Sequence, residues 1–363
     1  MQPVTIDVNA ATGRYAVLIG EGLASRLGRL LEEHEVGGRR FIVSNPVVWR
    51  FHGETLARAL PDATLVQVPD GERHKHLPTV SRIYEALVRG EADRDATVVA
   101  AGGGVIGDMA GFAAATYLRG IRLVHVPTTL LAQVDASIGG KVGVNLAAGK
   151  NLVGAFYPPR LVVTDPGVLR TLPRREFRAG LYEVIKYGVA CDATLFNQLQ
   201  RELGVVTDQR SDALASVIAQ CCRIKAAIVS SDERESGPRR VLNFGHTAGH
   251  ALETLTGYRR FRHGEAVGWG MLVAAELATA RGLLEARDLA AVRGLIMQLG
   301  PLPPVGDVPV PQMIEAMRRD KKVAEGRLHF VLPTGIGSAA IASDVSVREL
   351  SAALERVGFK ARG

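Results

Sequence analysis

Cysteine, aromatic residues and long charged runs are scarce in this chain, and each scarcity argues against a class of protein. The three cysteines, Cys191, Cys221 and Cys222, form no even and spaced set, so we exclude a disulfide framework and expect a reducing compartment. Aromatic residues make up 5% of the chain without interleaving with basic residues, and no Lys/Arg run is long enough for a basic arm. A nucleic-acid partner is therefore not expected.

Segments typical of membrane spans and secretion signals are also missing from the sequence. Asp108 and Glu276 interrupt the most apolar stretches, and the opening MQPVTIDVNA has no basic start followed by an apolar core. We therefore expect a cytoplasmic protein with no membrane partner. The formal net charge of +7 fits either scattered solvated charges or a pocket for a small anion.

Hydrophobic residues, by contrast, make up 47% of the 363 residues, enough for a large core and two domains. Short β-branched runs alternating with helical patterns predict a Rossmann-like α/β domain over residues 1–172, with a mostly parallel sheet. Long helical patterns then predict a mainly α-helical domain over residues 173–363, with the active site in the cleft between the domains. The predicted strands are Ala16–Ile19, Arg40–Val43, Thr64–Val68, Thr97–Ala101, Arg122–Val126 and Leu161–Thr164, and the main predicted helices are Pro78–Arg89, Ile106–Ala115, Pro173–Val189, Ser211–Ser230, Asn243–Leu255, Gly264–Arg281 and Val345–Val357.

A glycine-rich turn follows the fourth predicted strand, in the stretch TVVAAGGGVIGDMAGF. Gly102, Gly104 and Gly107 match G-x-G-x-x-G, the spacing that lets the start of a helix approach a pyrophosphate. The acidic residue usually found about twenty positions later is missing, because no Asp or Glu lies between Asp108 and Asp135. The acidic residues of VPDGERHK, residues 68–75, can take its place, and a plain surface turn is the alternative.

The helical half contains histidines and a carboxylate at spacings that place them on helix faces. Glu183 and Lys186 are three apart within an apolar pattern, and His246 and His250 are four apart. With His263 nearby, two or three histidines and one carboxylate suit a catalytic metal site that leaves one coordination position free. A packed or capping histidine pair is the alternative. No glutamate follows His246, so the metalloprotease pattern is not met.

Five long stretches together resemble one family. They occur in the order GGGVIGDMAGFAAATYLRG, VPTTLLAQVDASIGGKVGVN, GKNLVGAFYPP, TLPRREFRAGLYEVIKYG and LNFGHTAGHALE. They resemble the 3-dehydroquinate synthases, members of the sugar phosphate cyclase superfamily that act in the shikimate pathway. The likeness covers most of the chain, from Asp70 to Lys322.

The resemblance implies a tightly held NAD⁺ and a divalent metal, either Zn²⁺ or Co²⁺. It implies a small anionic sugar phosphate substrate, 3-deoxy-D-arabino-heptulosonate 7-phosphate. Transient NAD-dependent oxidation, phosphate elimination, reduction, ring opening and intramolecular aldol closure would then give 3-dehydroquinate and phosphate. A homodimer is expected on the same ground.

Site residues carried over from the resemblance fall into three groups. The metal ligands would be Glu183, His246 and His263. The cofactor-binding residues would be Asp70, Gly71, Glu72, Arg73, His74, Lys75, Gly104, Val105, Ile106, Gly107, Asp108, Thr128, Thr129, Lys141, Lys150, Val168, Leu169, Arg170 and Thr171. The catalytic and substrate-side residues would be Arg119, Asp135, Lys141, Lys186, Lys225, Arg239, Asn243, His250 and Lys322. A pocket rich in Arg and Lys suits a substrate that carries a carboxylate and a phosphate.

Two residues depart from the family pattern, and two other functions stay open. Tyr182 stands where a small residue is commoner and is expected to pack away from the metal, and His76 stands where a small hydroxyl residue is commoner. One alternative is a sibling cyclase, such as 2-deoxy-scyllo-inosose synthase or a sedoheptulose 7-phosphate cyclase, although Arg239, Asn243 and His250 match the dehydroquinate pattern. The other is a metal-dependent alcohol or glycerol dehydrogenase, which would release NADH stoichiometrically.

Overall fold

The structure is a computed structural model that describes residues 3–209, 212–321 and 328–361, with residues 320 and 321 described by their backbone alone. The chain divides into two compact units. The first consists of Met1–Pro173 and Asp208–Arg234, and the second of Arg174–Thr207 and Glu235–Gly363. Lys322, one of the predicted substrate-side residues, lies outside the described residues.

Strands and helices alternate through the first unit, and helices dominate the second. The strands are β1 (Val4–Ala10), β2 (Gly13–Ile19), β3 (Arg40–Ser44), β4 (Thr64–Gln67), β5 (Thr97–Gly102), β6 (Arg122–Pro127), β7 (Lys141–Leu146), β8 (Gly149–Phe156), β9 (Leu161–Thr164), β10 (Phe330–Gly335) and β11 (Ser338–Ala342). The helices are α1 (Leu27–Glu33), α2 (Pro46–Ala59), α3 (Leu77–Arg89), α4 (Gly104–Thr116), α5 (Arg174–Ala190), α6 (Ala193–Val206), α7 (Asp212–Ser231), α8 (His246–Leu255), α9 (His263–Ala280), α10 (Ala286–Gln298), α11 (Val310–Lys321) and α12 (Val347–Val357).

The first unit is built on a seven-stranded sheet in the order β1-β2-β9-β6-β5-β3-β4. Strand β1 pairs antiparallel with β2, and the other pairings in this sheet are parallel. All six predicted strands are present, so the predicted α/β class with a mostly parallel sheet is confirmed. The edge strand β1 and the hairpins β7–β8 and β10–β11 were not among the predicted strands.

The central strands of this sheet are covered on both faces, which is why strands such as β5 and β9 are apolar runs. Every residue of β5 is buried. Side chains alternate along a strand, so Val98 joins Phe41 in one core cluster whereas Val99 joins Ile42 in another. The first cluster includes residues of α3 and α4, and the second includes residues of α1 and α2.

Helix α7 belongs to the first unit, although the sequence boundary at residue 172 assigned it to the second domain. The reason is long-range packing, since α7 lies against β1 and against the π-helical turn Ala132–Ala136. Its Cys222 thiol, buried in this contact, donates to the Gln133 carbonyl at 3.3 Å. By length and composition alone α7 is apolar enough to cross a membrane, but half of its apolar window is buried inside the protein, as in a core helix.

The second unit is organised around α9, which is buried on all sides from Gly264 to Ala278. Two of its glycines allow neighbouring backbones to approach closely. A Cβ at Gly264 would overlap the Ala179 carbonyl oxygen of α5, and a Cβ at Gly270 would overlap the Gly245 carbonyl oxygen just before α8. Through these contacts α9, which carries His263, lies close to α5, which carries Glu183, and to the start of α8, which carries His246.

Replacing Gly270 by alanine should therefore destabilise the protein by about 1–3 kcal/mol, because a methyl group here forces the backbones apart. The matched control is Gly294→Ala in α10, where an added Cβ meets nothing within 4 Å. That control should be neutral or stabilising by up to about 1 kcal/mol, because alanine favours a helix interior. Urea unfolding of both variants checks this, and equal stability would contradict the close packing at Gly270.

Candidate cofactor and metal sites

The glycine turn connects β5 to α4 at the carboxyl end of the sheet. A Cβ added at Gly102 would lie 2.6 Å from the Ile106 Cβ, and one at Gly103 would lie 3.0 Å from the Thr129 Cγ2. Gly103 caps α4 without a side-chain hydrogen bond, so the first backbone N–H groups of this helix can receive an anion. The structure thus brings the predicted Gly104–Asp108 stretch next to Thr129, with the Thr128 side chain buried beside it and its hydroxyl lacking a hydrogen-bond partner within the described residues.

Lys75 joins the glycine turn to the hairpin β7–β8. Its side chain is buried, and its ammonium group contacts the Asp108 carboxylate and lies 2.6 Å from the Asn151 Oδ1. Burial raises the pKa of Asp108, and the neighbouring Lys75 charge opposes that shift. The Asn145 amide donates to Glu72 at 2.8 Å, and the Lys150 ammonium lies 3.7 Å from the same carboxylate oxygen. Four predicted cofactor residues are therefore connected here, and sequence reasoning missed both asparagines.

Asp70 follows β4 beside the carboxyl end of β3. It is exposed, and the Asn45 side-chain amide donates to its Oδ1 at 2.7 Å. The Asn45 side-chain oxygen accepts from the Val48 N–H and so caps α2. Gly71 has a φ of 100°, a conformation that favours glycine. This geometry orients a carboxylate that can substitute for the one missing after the glycine turn. Asn45 was missed, although an asparagine before a helix-starting proline is an N-cap signal.

Most of the remaining predicted cofactor residues lie in two short 3₁₀ segments of the first unit. In Glu72–His74 the Arg73 Nε donates to the His74 Nε2 at 2.9 Å. In Pro166–Thr171, Val168 and Leu169 are buried, Arg170 pairs with Glu21, and the Thr171 hydroxyl is 2.9 Å from the His52 Nε2. His76, one of the two departures, caps α3 by accepting from the Thr79 N–H at 3.3 Å.

Two predicted substrate-side residues form an ion pair within the first unit. The Lys225 ammonium of α7 contacts the Asp135 carboxylate and lies 2.5 Å from the Asp135 carbonyl oxygen. Lys225 is buried, and these contacts with Asp135 hold its ammonium group at the π-helical turn at residues 132–136. Lys141 is exposed at the start of β7, and Arg119 is exposed with a φ of 68°.

Three side chains predicted to bind metal converge in the second unit. Glu183 is fully buried, and its Oε1 lies 3.4 Å from the His263 Nε2 and 3.8 Å from the His246 Nε2. Ligand atoms about 2.0–2.2 Å from a tetrahedral Zn²⁺ lie about 3.3–3.6 Å apart. The Glu183–His263 separation lies in this range and the Glu183–His246 separation is slightly longer, so these three groups can hold a divalent metal after small side-chain shifts.

Each of these imidazoles has a partner at its other nitrogen. The His246 Nδ1 is 3.1 Å from the Phe244 carbonyl oxygen, and the His263 Nδ1 is 3.0 Å from the Glu253 Oε2. An acceptor at Nδ1 leaves the Nε2 lone pair free for a metal. Burial lowers the pKa of His246 to about 3, with Glu183 opposing, so this ring is neutral. Burial also acts to lower the pKa of His263, but Glu183 and Glu253 outweigh it and raise that pKa to about 10. The position of the His263 ring therefore favours a positive charge.

His250 lies close enough to His246 and His263 to be an alternative metal ligand to Glu183. Its ring centroid is 5.2 Å from that of His246 and 5.8 Å from that of His263. One nitrogen from each of the three rings lies within 4.8 Å of the others. The geometry therefore accommodates either three histidines or two histidines with Glu183.

A buried ammonium group lies beside this cluster, and a buried guanidinium lies elsewhere in the same unit. The Lys186 ammonium lies 2.5 Å from the Glu183 Oε2, and its side chain is 1% exposed. Arg239 is buried in the 3₁₀ segment Pro238–Asn243, and the Asn243 amide donates to Glu235 at 2.5 Å.

Tyr182, the other departure from the family pattern, is buried against Gly268 of α9, and burial raises the pKa of its hydroxyl to about 12.

Solved structures define the class of protein to which this fold belongs. The 2-epi-5-epi-valiolone synthase of Streptomyces hygroscopicus subsp. jinggangensis, with NAD⁺ and Zn²⁺ bound, superposes with a TM-score of 0.85 at 32% identity, over 94% of this chain and 96% of that one. A 2-deoxy-scyllo-inosose synthase complexed with carbaglucose-6-phosphate, NAD⁺ and Co²⁺ has a TM-score of 0.85 at 28% identity, over 97% and 99%. The chain thus has the fold of the sugar phosphate cyclases, as the sequence predicted.

Sequence comparisons then identify the family within that class. The family model for the 3-dehydroquinate synthase N-terminal region matches residues 65–179, and the model for the C-terminal region matches residues 180–323. The 3-dehydroquinate synthase of Crocosphaera subtropica is 44% identical over 360 residues, covering 97% of this chain and 98% of that protein. This chain belongs to the 3-dehydroquinate synthase family, and the predicted resemblance is confirmed.

Proposed function

We propose that this protein converts 3-deoxy-D-arabino-heptulosonate 7-phosphate to 3-dehydroquinate and phosphate, with NAD⁺ and a divalent metal, Zn²⁺ or Co²⁺, as cofactors. The family membership supports the reaction. The observation that carries the metal dependence is the approach of the Glu183 carboxylate to the His246 and His263 Nε2 atoms, at 3.8 and 3.4 Å. The cytoplasm, as the location, and a homodimer, as the assembly, are part of the proposal.

Glu183, His246 and His263 are the proposed metal ligands, which leaves His250 to face the substrate. The preference for Glu183 over His250 rests on the Nδ1 contacts, because both His246 and His263 direct Nε2 to the same Glu183 oxygen. When bound, NAD⁺ supplies a reversible hydride acceptor, and the metal supplies a Lewis acid that makes a substrate hydroxyl more acidic.

The proposed cofactor residues of this chain are the predicted ones of the first unit. Backbone N–H groups of the glycine turn hold the pyrophosphate, and Asp70, oriented by Asn45, accepts from a ribose hydroxyl. Lys75 keeps Asp108 and Asn151 in place beside the turn. Thr128, with its buried and unpartnered hydroxyl, offers a hydrogen bond from the end of β6.

The proposed substrate residues supply fixed positive charge for a carboxylate and a phosphate. Lys225 and Lys186 are each held by a carboxylate, through Asp135 and Glu183. Ammonium groups fixed in advance cost little reorganisation when an anion binds. Arg239 adds a guanidinium, whose fork of donors matches carboxylate or phosphate oxygens.

The test is turnover by the purified protein with the heptulosonate phosphate, Zn²⁺ or Co²⁺ and NAD⁺ far below the substrate concentration. The proposal requires one phosphate and one 3-dehydroquinate per substrate consumed, without lasting NADH. Sedoheptulose 7-phosphate and glucose 6-phosphate are the comparison substrates, because the two solved synthases show that sibling enzymes share this fold. Faster turnover of either would assign the chain to a sibling activity, and stoichiometric NADH from a simple polyol would indicate a dehydrogenase.

Replacing Asp70 by alanine should weaken NAD⁺ binding about 10–100-fold, the value of a hydrogen bond to a charged group. At saturating NAD⁺, kcat should stay near that of the unaltered protein, since Asp70 belongs to the first unit and the proposed metal ligands to the second. Titration of NAD⁺ by calorimetry measures the affinity. Asp62→Ala, another exposed aspartate of the same unit, is the matched control. Equal NAD⁺ affinity in both variants would remove Asp70 from the cofactor site.

A further inference from the structure

A buried carboxylate that the sequence did not single out lies on the far side of His263. Glu253 is in α8 and only 4% exposed. It follows His246 by seven residues, two helical turns, and therefore shares its helix face. Its Oε2 is 3.0 Å from the His263 Nδ1, whereas the Glu183 Oε1 is 3.4 Å from the Nε2 of the same ring. The imidazole is thus held between two carboxylates from different helices.

This arrangement decides which way the His263 ring faces. His263 is the first residue of α9, and its side chain is 33% exposed, so surrounding packing alone leaves one edge of the ring open. A carboxylate accepts but does not donate when ionised. Once a metal takes the place of the Nε2 proton, hydrogen bonding to Glu253 therefore keeps the remaining ring proton of His263 on Nδ1, with Nε2 directed toward Glu183.

His246 provides an internal comparison. Its Nδ1 partner is the main-chain carbonyl of Phe244, at 3.1 Å, which no side-chain substitution removes. The orientation of the His246 ring is therefore fixed by the main chain, whereas the orientation of the His263 ring depends on the Glu253 side chain. Burying a carboxylate costs free energy unless it is paired or hydrogen-bonded. The contact with the His263 imidazole therefore stabilises the buried Glu253 carboxylate in this position.

We propose that Glu253 is a positioning residue, which holds His263 in the orientation and tautomer that bind the metal. The proposal rests on the proposed function only in taking His263 as a metal ligand. Outer carboxylates that accept from a ligating imidazole typically contribute about 10–100-fold to metal affinity. The contribution should therefore appear in metal binding itself, without any turnover.

The experiment measures Co²⁺ affinity of the metal-stripped full-length protein, by competition with a chelator, together with the visible absorption spectrum of the Co²⁺-loaded form. Glu253→Ala should bind Co²⁺ about 10–100-fold more weakly than the unaltered protein and shift the spectrum. Glu253→Gln should fall between them, because an amide oxygen can still accept from Nδ1–H. Glu276→Gln is the matched control, since Glu276 is also buried in the second unit but pairs with Arg293 and Arg356.

Co²⁺ affinity of Glu253→Ala within about twofold of the unaltered protein would overturn the proposal, as would an equal loss in Glu276→Gln. If Glu253→Ala does not fold, Glu253→Gln decides: a loss of more than about threefold supports the proposal, and a smaller one overturns it. The readout also separates the two proposals. Co²⁺ binding that depends on Glu253, without turnover of the heptulosonate phosphate, removes the proposed reaction and leaves the positioning role.

Discussion

Replacing His263 by alanine should remove the bound metal and lower kcat/KM by at least about 10³-fold, because several kcal/mol of transition-state stabilisation depend on the Lewis acid. Of the proposed ligands the variant keeps only Glu183 and His246, and two ligands hold a divalent ion poorly. The substitution leaves a small space at the start of α9, where the ring is 33% exposed, so the fold should survive. Metal content by atomic spectroscopy and turnover are measured on the same sample.

His34→Ala is the matched control, because His34 is an exposed histidine of the first unit. It should retain both the metal and the activity. Excess Zn²⁺ should restore little of the activity of His263→Ala, since the lost ligand limits the geometry as well as the affinity. A His263→Ala protein that binds one metal per chain and turns over normally would remove His263 from the ligand set. The variant Glu183→Gln distinguishes the two possible ligand sets. It should lose the metal if Glu183 is a ligand, and it should keep the metal if the ligands are His246, His250 and His263.

Replacing Lys186 by methionine should destabilise the metal-free protein by at most about 3–5 kcal/mol, because it removes the buried ammonium partner of Glu183 while the nearby His263 offsets part of the loss. Glu183 is fully buried and Lys186 is 1% exposed, so water cannot compensate the charge. A metal ion bound to Glu183 compensates it instead, and added Zn²⁺ should recover much of the lost stability. Urea unfolding with a chelator and with Zn²⁺ measures both values.

The same variant should lose turnover while its NAD⁺ affinity stays near normal, because the proposed cofactor residues belong to the other unit. Arg29→Met is the matched control for stability. It breaks the exposed ion pair with Glu33, which is worth about 0.3–0.5 kcal/mol. A Lys186→Met protein as stable as the control, or one that binds NAD⁺ much more weakly, would contradict the role given to this ion pair.

Much of the fold follows from local patterns in the sequence. Unbroken apolar runs such as Val98–Ala101 predict strands buried on both faces, and β5 is such a strand. The assignment of α7 could not be predicted, because its apolar face packs on β1, about two hundred residues earlier in the chain. Strand β1 itself alternates apolar and polar residues, and Val4, Ile6 and Val8 form a period-two strand signal that is weaker than the longer apolar runs.

The site was predictable as residue types and helix faces but not as distances. Spacing placed Glu183 with Lys186 and His246 with His250, yet their convergence with His263 depends on α9 approaching α5 and α8 at glycines. Asn145 and Asn151 reach the cofactor residues through the hairpin β7–β8, which has no strong local signal. Glu253 did have one, since it lies seven residues after His246 on the same helix face.

In the proposed reaction one substrate hydroxyl, the one at C5, is oxidised and then restored within a single turnover. Substrate deuterated at C5 tests it, with NAD⁺ far below the substrate concentration and the product examined by mass spectrometry and NMR. The account predicts that 3-dehydroquinate retains the deuterium at the same carbon, turnover after turnover. Loss of the deuterium into solvent or into accumulated reduced cofactor would contradict it.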